Sequence, residues 1–444
     1  MLKKLVLSLL LIFSLNMILG NTIDLSDIRR IALKNNIELK ASKEEKMASK
    51  WDYYNSRLSL FPSAQIEGSF MKYHPDLPGS LTSTYDNKTT YQLSINQPIF
   101  NGGKIWLTSE IKKNTFKISQ KNYSAKELEI ITQAEIYYLN LLESKKLKEI
   151  SEKSLESAQM NLEIAQVKFE TGVISNADLL NVKSQKANKE VALLQAENIY
   201  KINKLTLQNY LNYQQEFTLT DIPKDNYINL INKLSALSTS KINEVTKTLT
   251  KTAVNNNPIL EISDLSVKTN KTALLMAKGN FLPSVNLNYS KNWSQYDMEN
   301  DFTDQEQIML TASVPIFPIF DNYSGHKKAK YDLIKSKYDK RNNYDSIKLG
   351  VRSLALNLVA AAKSVKAAET ALEYSQETYN QMEERYKNDL ISTSELLDAE
   401  IMLDSAKNQY TNAIYDFLEN KSKLKQQIGL INDQEINTLI INIK

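Results

Sequence analysis

The chain offers few side chains that could perform covalent or metal chemistry. It has two histidines, His74 and His326, which lie far apart in the sequence, and it has no cysteine, so disulfides and thiolate ligands are excluded. It also contains no P-loop, no Gly-x-Ser-x-Gly pattern and no His-Glu-x-x-His pattern. We therefore predict that the protein is not an enzyme and that it needs no metal and no cofactor.

Two carboxylates near the C-terminal end invite a functional interpretation. Glu395 and Asp398 are three residues apart, so they share one face of a predicted helix. In an assembly of several copies, each position would form a ring of negative charge that attracts cations and narrows an opening. The competing interpretation is that acidic residues are favoured at a helix start, because the helix dipole is positive there.

The N-terminal residues have the pattern of an export signal. Lys3 and Lys4 precede an apolar run from Leu5 to Leu19, which predicts a cleavable secretory signal peptide over residues 1–20. Removing those two lysines lowers the formal net charge from +4 to +2, and the 24% charged residues are of both signs. This balance favours solvated helix faces over a nucleic-acid partner. No later segment has the roughly 18 uncharged apolar residues of a spanning helix, so any membrane-embedded part would consist of strands.

The remainder of the chain is an internal duplication. An offset of 221 places Phe61-Pro62-Ser63 on Leu282-Pro283-Ser284, and an offset of 217 places Pro98-Ile99-Phe100 on Pro315-Ile316-Phe317. Each copy is far longer than the 20–50 residues of a solenoid repeat. We predict a signal peptide at 1–20, a first repeat at 21–225, a linker at 226–240, a second repeat at 241–430 and a tail at 431–444.

Each repeat combines a pair of strands with long helices. In the first repeat the pattern predicts a helix from about 25 to 60, a β-hairpin over 62–100, a long helix over 104–171 and a return helix over 175–213. The second repeat has an initial helix, a hairpin over 283–317, a long helix over 325–388 and a return helix over 392–427. Alternation of Ala64, Ile66 and Phe70 with polar residues marks a strand, and heptads such as Ile347, Val351 and Leu358 indicate coiled-coil packing.

These elements together indicate a conduit rather than a pocket. The apolar stripes of the helices are used in coiled-coil contacts, so the apolar faces of the strands are left to face lipid. Four strands are too few to close a barrel, and open strand edges cannot lie in lipid, so several copies would share one barrel. Trp106 and Tyr91 are candidates for interfacial anchors, although ordinary packing explains them equally well.

The chain resembles the TolC-like outer membrane efflux proteins. The resemblance rests on the ordered set of motifs rather than on any one of them, and it covers essentially the whole mature chain. The motifs are Phe61-Pro62 and Leu282-Pro283 at the strand entries, the segment 97–104 (QPIFNGGK), the segment 169–175 (FETGVIS) with Asp178-Leu179-Leu180, and the second-copy counterparts.

The resemblance implies a mostly α-helical fold with a small transmembrane β part. It implies a homotrimer in which the hairpins form a twelve-strand barrel in the outer-membrane lipid of a Gram-negative-type cell. The long antiparallel helices would form an α-barrel tunnel through the periplasm. It also implies that the protein conducts substrates passively, in a tripartite efflux or type I secretion system, from a periplasmic adaptor and an inner-membrane pump or ABC exporter.

The resemblance also assigns roles to residues at the helix tips. The adaptor-docking tips would be Gly172, Val173, Ile174 and Ser175 in the first repeat and Asp389, Leu390, Ile391 and Ser392 in the second. The periplasmic entrance would involve Tyr386, Glu395, Asp398 and Asp178. Asp389 stands where the family often has glycine, and Ile391 stands where it has a basic residue, so the gating contacts must differ. Tyr386 also fits the heptad core.

The main rival interpretation is a periplasmic coiled-coil adaptor or binding protein of an export system. An adaptor would have one helical hairpin between β-rich halves, which this duplicated chain lacks. A hydrolase with a helical stalk is disfavoured by the missing catalytic residues. The main prediction is therefore the outer-membrane conduit of the efflux or secretion system.

Overall fold

The computed structural model describes residues 21–72, 87–296, 300–314, 316–317 and 319–441. The predicted signal peptide lies outside these ranges, as do His74, Pro315 and the end of the predicted tail. The described residues form two compact units. The helical unit comprises residues 21–42, 124–258 and 344–441, and the strand unit comprises described residues within 43–123 and 259–343.

Ten helices are found in the described part of the chain, and two of them are very long. In chain order they are α1 (Leu25–Asn35), α2 (Ile37–Leu58), α3 (Lys104–Glu170), α4 (Asn176–Leu211), α5 (Asp225–Ser235), α6 (Thr239–Asn256), α7 (Pro258–Gly279), α8 (Ile319–Lys387), α9 (Thr393–Gln427) and α10 (Asp433–Ile441). α3 and α8 have 67 and 69 residues and contribute to both units. Within the described ranges, none of the helices combines the length and apolar character needed to cross a membrane.

The strand unit contains one antiparallel sheet of four strands. These are β2 (Ser63–Lys72), β3 (Asn87–Asn101), β5 (Ser284–Tyr296) and β6 (Thr303–Ser313), in the order β2-β3-β5-β6. The strands of each predicted hairpin pair with each other, and β3 pairs with β5 between the two repeats. The β3–β5 register shifts between Pro98 and Phe100, since proline has no N–H to donate to the ladder. β2 and β6 are the outer strands of this sheet.

The helical unit buries many heptad positions of the second repeat and half-buries others. Ile347, Val351 and Leu358 of α8 are buried, as are Leu396 and Leu403 of α9. This burial confirms the coiled-coil interpretation for these residues. A short parallel pair, β1 (Asn21–Ile23) with β4 (Phe217–Leu219), also belongs to this unit.

The predicted uninterrupted helix from about 25 to 60 is wrong, because the chain turns at Asn36. Asn36 has an extended ψ of 130°, and its side-chain oxygen accepts a hydrogen bond from the Leu39 N–H at 3.1 Å. Its amide nitrogen donates to the Tyr210 carbonyl at 3.4 Å. In the second repeat Asn257 has a ψ of 120° and donates to the Gln427 carbonyl at 2.9 Å. Each repeat thus has an asparagine at a helix break, where its amide contacts the end of the return helix.

The linker predicted at 226–240 is largely helical. α5 covers most of it, because Tyr227, Leu230, Ile231 and Leu234 recur at helical spacing and are all buried. The tail predicted at 431–444 likewise contains a helix, α10, in which Ile436 and Ile440 are buried. Both segments therefore add to the core of the helical unit.

Candidate functional site at the helix tips

The first tip is the turn between α3 and α4, and a capping box holds its shape. Gly172 has a φ of 76°, a left-handed conformation that glycine adopts without steric cost. The Ser175 hydroxyl oxygen accepts from the Asp178 N–H at 3.1 Å, and the Asp178 carboxylate accepts from the Ser175 N–H at 3.1 Å. The hydrogen bonds from the Ser175 hydroxyl and N–H lower the pKa of Asp178. Asp178 therefore serves as a helix cap in the protomer.

The second tip, between α8 and α9, repeats this arrangement. The Ser392 hydroxyl oxygen accepts from the Glu395 N–H at 3.3 Å, and the Glu395 carboxylate accepts from the Ser392 N–H at 2.8 Å. These bonds lower the pKa of Glu395, with the backbone N–H making the larger contribution. Glu395 aligns with Asp178 at the offset of 217. The expectation that an acid is favoured at this helix start thus agrees with the position of Glu395 in the protomer, and the structure adds a capping box with Ser392.

Asp398 differs from Glu395 in its contacts. It is exposed and, among the described residues, forms no hydrogen bond or ion pair. Asn181 occupies the matching position of the first repeat. Asp398 is therefore a free carboxylate one helical turn beyond the capped one.

Tyr386 lies in the core of the second tip. Its ring is 3% exposed and belongs to a buried cluster with Tyr379, Leu396, Ala399 and Leu403. The phenol oxygen lies 3.3 Å from the Thr393 hydroxyl. Tyr386 therefore occupies the core position that the heptad predicts, and its hydroxyl also makes a polar contact at the start of α9.

Lys168 joins the two tips and is the functional candidate that sequence reasoning missed. Its ammonium forms an ion pair with Asp389, donates to the Tyr386 carbonyl at 2.5 Å and lies 4.1 Å from the centre of the Tyr386 ring. Asp389 has a φ of 59°, which is unusual for a residue with a side chain. Asp389 aligns with Gly172 at the offset of 217, and that exchange of glycine for an acid is the sequence signal that could have indicated a nearby cation.

At each tip one apolar side chain is exposed, and the apolar side chain that follows it in the sequence is half-buried. Val173 and Leu390 occupy matching positions and are 52% and 67% exposed. Ile174 packs against the cluster around Ala165, and Ile391 packs against the cluster around Tyr386. The tips thus present apolar residues on a turn that is anchored from inside.

The other sequence candidates, Trp106 and Tyr91, belong to the strand unit. Trp106 in α3 and Tyr91 in β3 are 70% and 48% exposed. Within the residues that the structure describes, no group of three or more histidine, cysteine, aspartate or glutamate side chains is placed to hold a metal ion.

Comparison with known proteins identifies the family. The outer membrane efflux protein family matches residues 28–213 and 249–430. The chain is 24% identical over 431 residues to outer membrane protein TolC of Salmonella enteritidis. The aligned region covers 94% of this chain and 84% of that protein. It is 20% identical over 420 residues to a probable efflux pump outer membrane protein, TtgC, of Pseudomonas putida, covering 91% of this chain and 82% of that one.

Solved structures show the same fold. A crystal structure of CusC aligns with a TM-score of 0.81 at 15% identity and covers 93% of each chain. The Campylobacter jejuni CmeC outer membrane channel aligns with a TM-score of 0.75 at 18% identity, covering 94% of this chain and 89% of that one. The adaptor alternative is not favoured, because the family match spans both repeats. The chain therefore belongs to the outer membrane efflux protein family, and it is an outer-membrane channel for efflux or secretion.

Proposed function

We propose that three copies of this chain form a passive exit duct, in which each copy contributes four strands to one twelve-strand barrel. The observation that carries the proposal is the exposure of the outer strands. Every residue of β2 and of β6 is exposed in the protomer. Unpaired backbone groups at a strand edge are costly in lipid, so both outer strands need neighbours from other copies.

The side chains of the outer strands support a lipid-facing surface. Ile66 and Phe70 of β2 are 75% and 68% exposed, and Ile308 and Leu310 of β6 are 74% and 68% exposed. A transmembrane strand needs about 9–11 residues, and the four strands have 10 to 15. Trp106 and Tyr91 would then anchor the barrel at the membrane interface.

The helix tips would meet the partners at the periplasmic end. We propose that residues 172–175 and 389–392 dock a periplasmic adaptor, which connects the duct to an inner-membrane pump or ABC exporter. Val173 and Leu390 are exposed apolar side chains at matching positions of the two tips, where an adaptor could pack against them. The duct itself supplies no energy, so the pump selects and drives the substrate.

The entrance would be lined and held by the residues of the second tip. In a trimer, Glu395 and Asp398 would form two adjacent rings of three carboxylates that attract cations. Tyr386 and Lys168 would hold the second tip to the end of α3. They would do so instead of the basic residue that the family has at the position of Ile391. We also propose the duplication boundaries 21–225 and 241–430, with 226–240 as the linker, on the basis of the repeated motifs and the two matched segments.

A substitution on the lipid-facing side of β6 tests the duct. Ile308→Lys places a charge on the proposed lipid face, which costs up to about 2–4 kcal/mol at the bilayer midplane. Gln307→Lys is the matched control, because it places the same charge on the opposite face of the same strand. We expect Gln307→Lys to give detergent-extractable trimers in the outer membrane that conduct ions in planar bilayers, and Ile308→Lys to give neither.

Two results would overturn the proposal. One is a wild-type protein that remains monomeric and water-soluble without detergent. The other is an Ile308→Lys protein that assembles and conducts as well as the control.

A further inference from the structure

Five charged side chains are packed together inside the helical unit. Lys425 of α9 is 1% exposed and donates to both oxygens of Glu135 in α3, at 2.7 and 2.9 Å. Arg29 of α1 donates to Glu135 at 2.6 Å and also pairs with Asp433 of α10. Lys421, one turn before Lys425, completes the group. Four helices thus bring three cations and two carboxylates into one cluster, in which Lys425 and Glu135 are almost fully buried while Arg29 and Asp433 are 20% and 31% exposed.

Lys421 is the cation that the cluster leaves without a close acceptor. Its side chain is only 9% exposed, and its ammonium lies 3.8 Å from the nearer Asp433 oxygen. That separation is too long for a hydrogen bond. Among the described residues, the Lys421 ammonium donates no hydrogen bond. At this separation the ion pair with Asp433 leaves the ammonium free to donate hydrogen bonds to a further anion.

Lys421 lines a cavity of about 470 Å³, which is in the size range of small-molecule sites. A second unsatisfied polar atom belongs to the same lining, because the side-chain oxygen of Asn437 is buried and has no donor among the described residues. Leu139, Leu230 and Leu418 supply an apolar part of the wall. The cavity therefore combines a cation that lacks an acceptor, an acceptor that lacks a donor, and an apolar surface.

The two carboxylates of the cluster make shorter contacts with other cations than with Lys421. Glu135 and Asp433 are engaged by Arg29 and Lys425. The remaining acidic residue of the lining, Asp225, is exposed to solvent. The cluster around the cavity has a net charge of +1, counted from Arg29, Lys421 and Lys425 against Glu135 and Asp433.

We propose that this cavity binds a small organic anion. Its carboxylate or phosphate group accepts hydrogen bonds from the Lys421 ammonium, a hydroxyl group on it donates to the Asn437 side-chain oxygen, and its hydrocarbon part lies against the leucines. The bound anion would balance the third cation of the cluster. Burial lowers the pKa of Lys421, so the affinity should fall as rising pH removes the proton from the ammonium.

Binding can be measured on the full-length protein in detergent by isothermal titration calorimetry. The probes are glycerol 3-phosphate and 4-hydroxybutyrate, which separate the phosphate and carboxylate forms of the ligand. Sodium chloride at matched ionic strength is the control solution. We expect saturable binding of at least one probe, and we expect Lys421→Met to weaken it at least about tenfold. Lys423→Met, on the same helix with a side chain 44% exposed, should leave binding unchanged.

A second variant keeps the test informative if Lys421→Met does not fold. Asn437→Asp places a carboxylate on the wall of the cavity that Lys421 also lines, so it should supply a negative charge there, raise the thermal midpoint and abolish anion binding. The absence of saturable binding of both probes to the wild type would overturn the proposal. So would equal affinities in the wild type and in a folded Lys421→Met or Asn437→Asp protein.

Discussion

The ammonium of Lys168 forms an ion pair with Asp389, a residue that holds a left-handed φ of 59° where the first repeat has Gly172. A non-glycine residue in this conformation stores strain that its surroundings must offset. Lys168 contributes to that offset, because the same ammonium also bonds the Tyr386 carbonyl. The end of α3 and the second tip are thereby connected within one protomer.

Removing this cation should loosen the second tip. Lys168→Met loses both the ion pair and the bond to the Tyr386 carbonyl, so we expect amide hydrogen exchange across 386–391 to accelerate, with local opening easier by about 1–2 kcal/mol. Asp389→Asn tolerates the left-handed conformation and loses only the charge, so its effect should be smaller, below about 1 kcal/mol. Lys387→Met, which removes a surface pair with Glu383, is the control. Equal exchange rates in Lys168→Met and the control would contradict this role.

Neutralising the two acidic positions should reduce cation preference at the entrance. Glu395→Gln combined with Asp398→Asn removes the charges, and glutamine still completes the capping box with Ser392. We expect the permeability ratio of cations to anions in planar bilayers to fall by roughly twofold or more, and block by multivalent cations to weaken. Glu395→Ala is a less specific change, because the loss of the cap alone costs about 1 kcal/mol.

The pH dependence provides an independent check on these carboxylates. Because hydrogen bonds from Ser392 lower the pKa of Glu395, its charge should persist below the range in which glutamate ordinarily becomes protonated. Cation preference in the wild type should therefore decline only at a pH below that range. An unchanged preference in the double variant at neutral pH would remove the ring proposal.

Glu143 should make the protein less stable as the pH rises. Burial, with the nearby charges of Asp416 and Glu419, raises the pKa of this α3 carboxyl to about 7 from an ordinary value of 4.5. The folded state therefore binds more protons than the unfolded state between these two values. The contribution of Glu143 to stability is therefore greatest below about pH 4.5 and is lost as the pH rises through about 7.

Glu143→Gln tests this effect, because it keeps the shape of the side chain and removes the titration. We expect the variant to be more stable than the wild type above about pH 7, by up to about 2 kcal/mol after allowing for partial solvent screening. The thermal midpoint in detergent between about pH 5 and about pH 8 measures the difference. A wild type and variant with the same pH profile would show that Glu143 is not the group responsible.

Gly102 and Gly279 approach so closely that neither position has room for a side chain. A Cβ at Gly279 would lie 2.3 Å from the Gly102 carbonyl oxygen, and a Cβ at Gly102 would lie 2.1 Å from the Gly279 carbonyl oxygen. Gly279→Ala should therefore destabilise the strand unit by about 1–3 kcal/mol or prevent assembly. Gly325→Ala meets nothing within 4 Å and should stabilise α8 by up to about 1 kcal/mol. Thermal midpoints of the two variants in detergent should move in opposite directions, and a shared direction would contradict the packing argument.

Much of the fold was predictable because its signals are local. Alternation with period two along β2 and β6, heptads along α8 and α9, and acidic residues at a helix start each depend on residues close together in the chain. The approximate bounds of the long and return helices followed from these signals, whereas the tip residues followed from the family resemblance. The family resemblance followed from the order of the same motifs.

Tertiary structure decided the features that depend on residues far apart in the chain. At the helix break, Asn36 donates to the carbonyl of Tyr210. The tip connection joins Lys168 to Asp389, and the charged cluster brings together Glu135 and Lys425 from different helices. Periodicity places a lysine on a helix face, but it does not say which distant carboxylate that face will meet. Only packing brings those partners within hydrogen-bonding distance, and burial then decides how strongly each charge needs one.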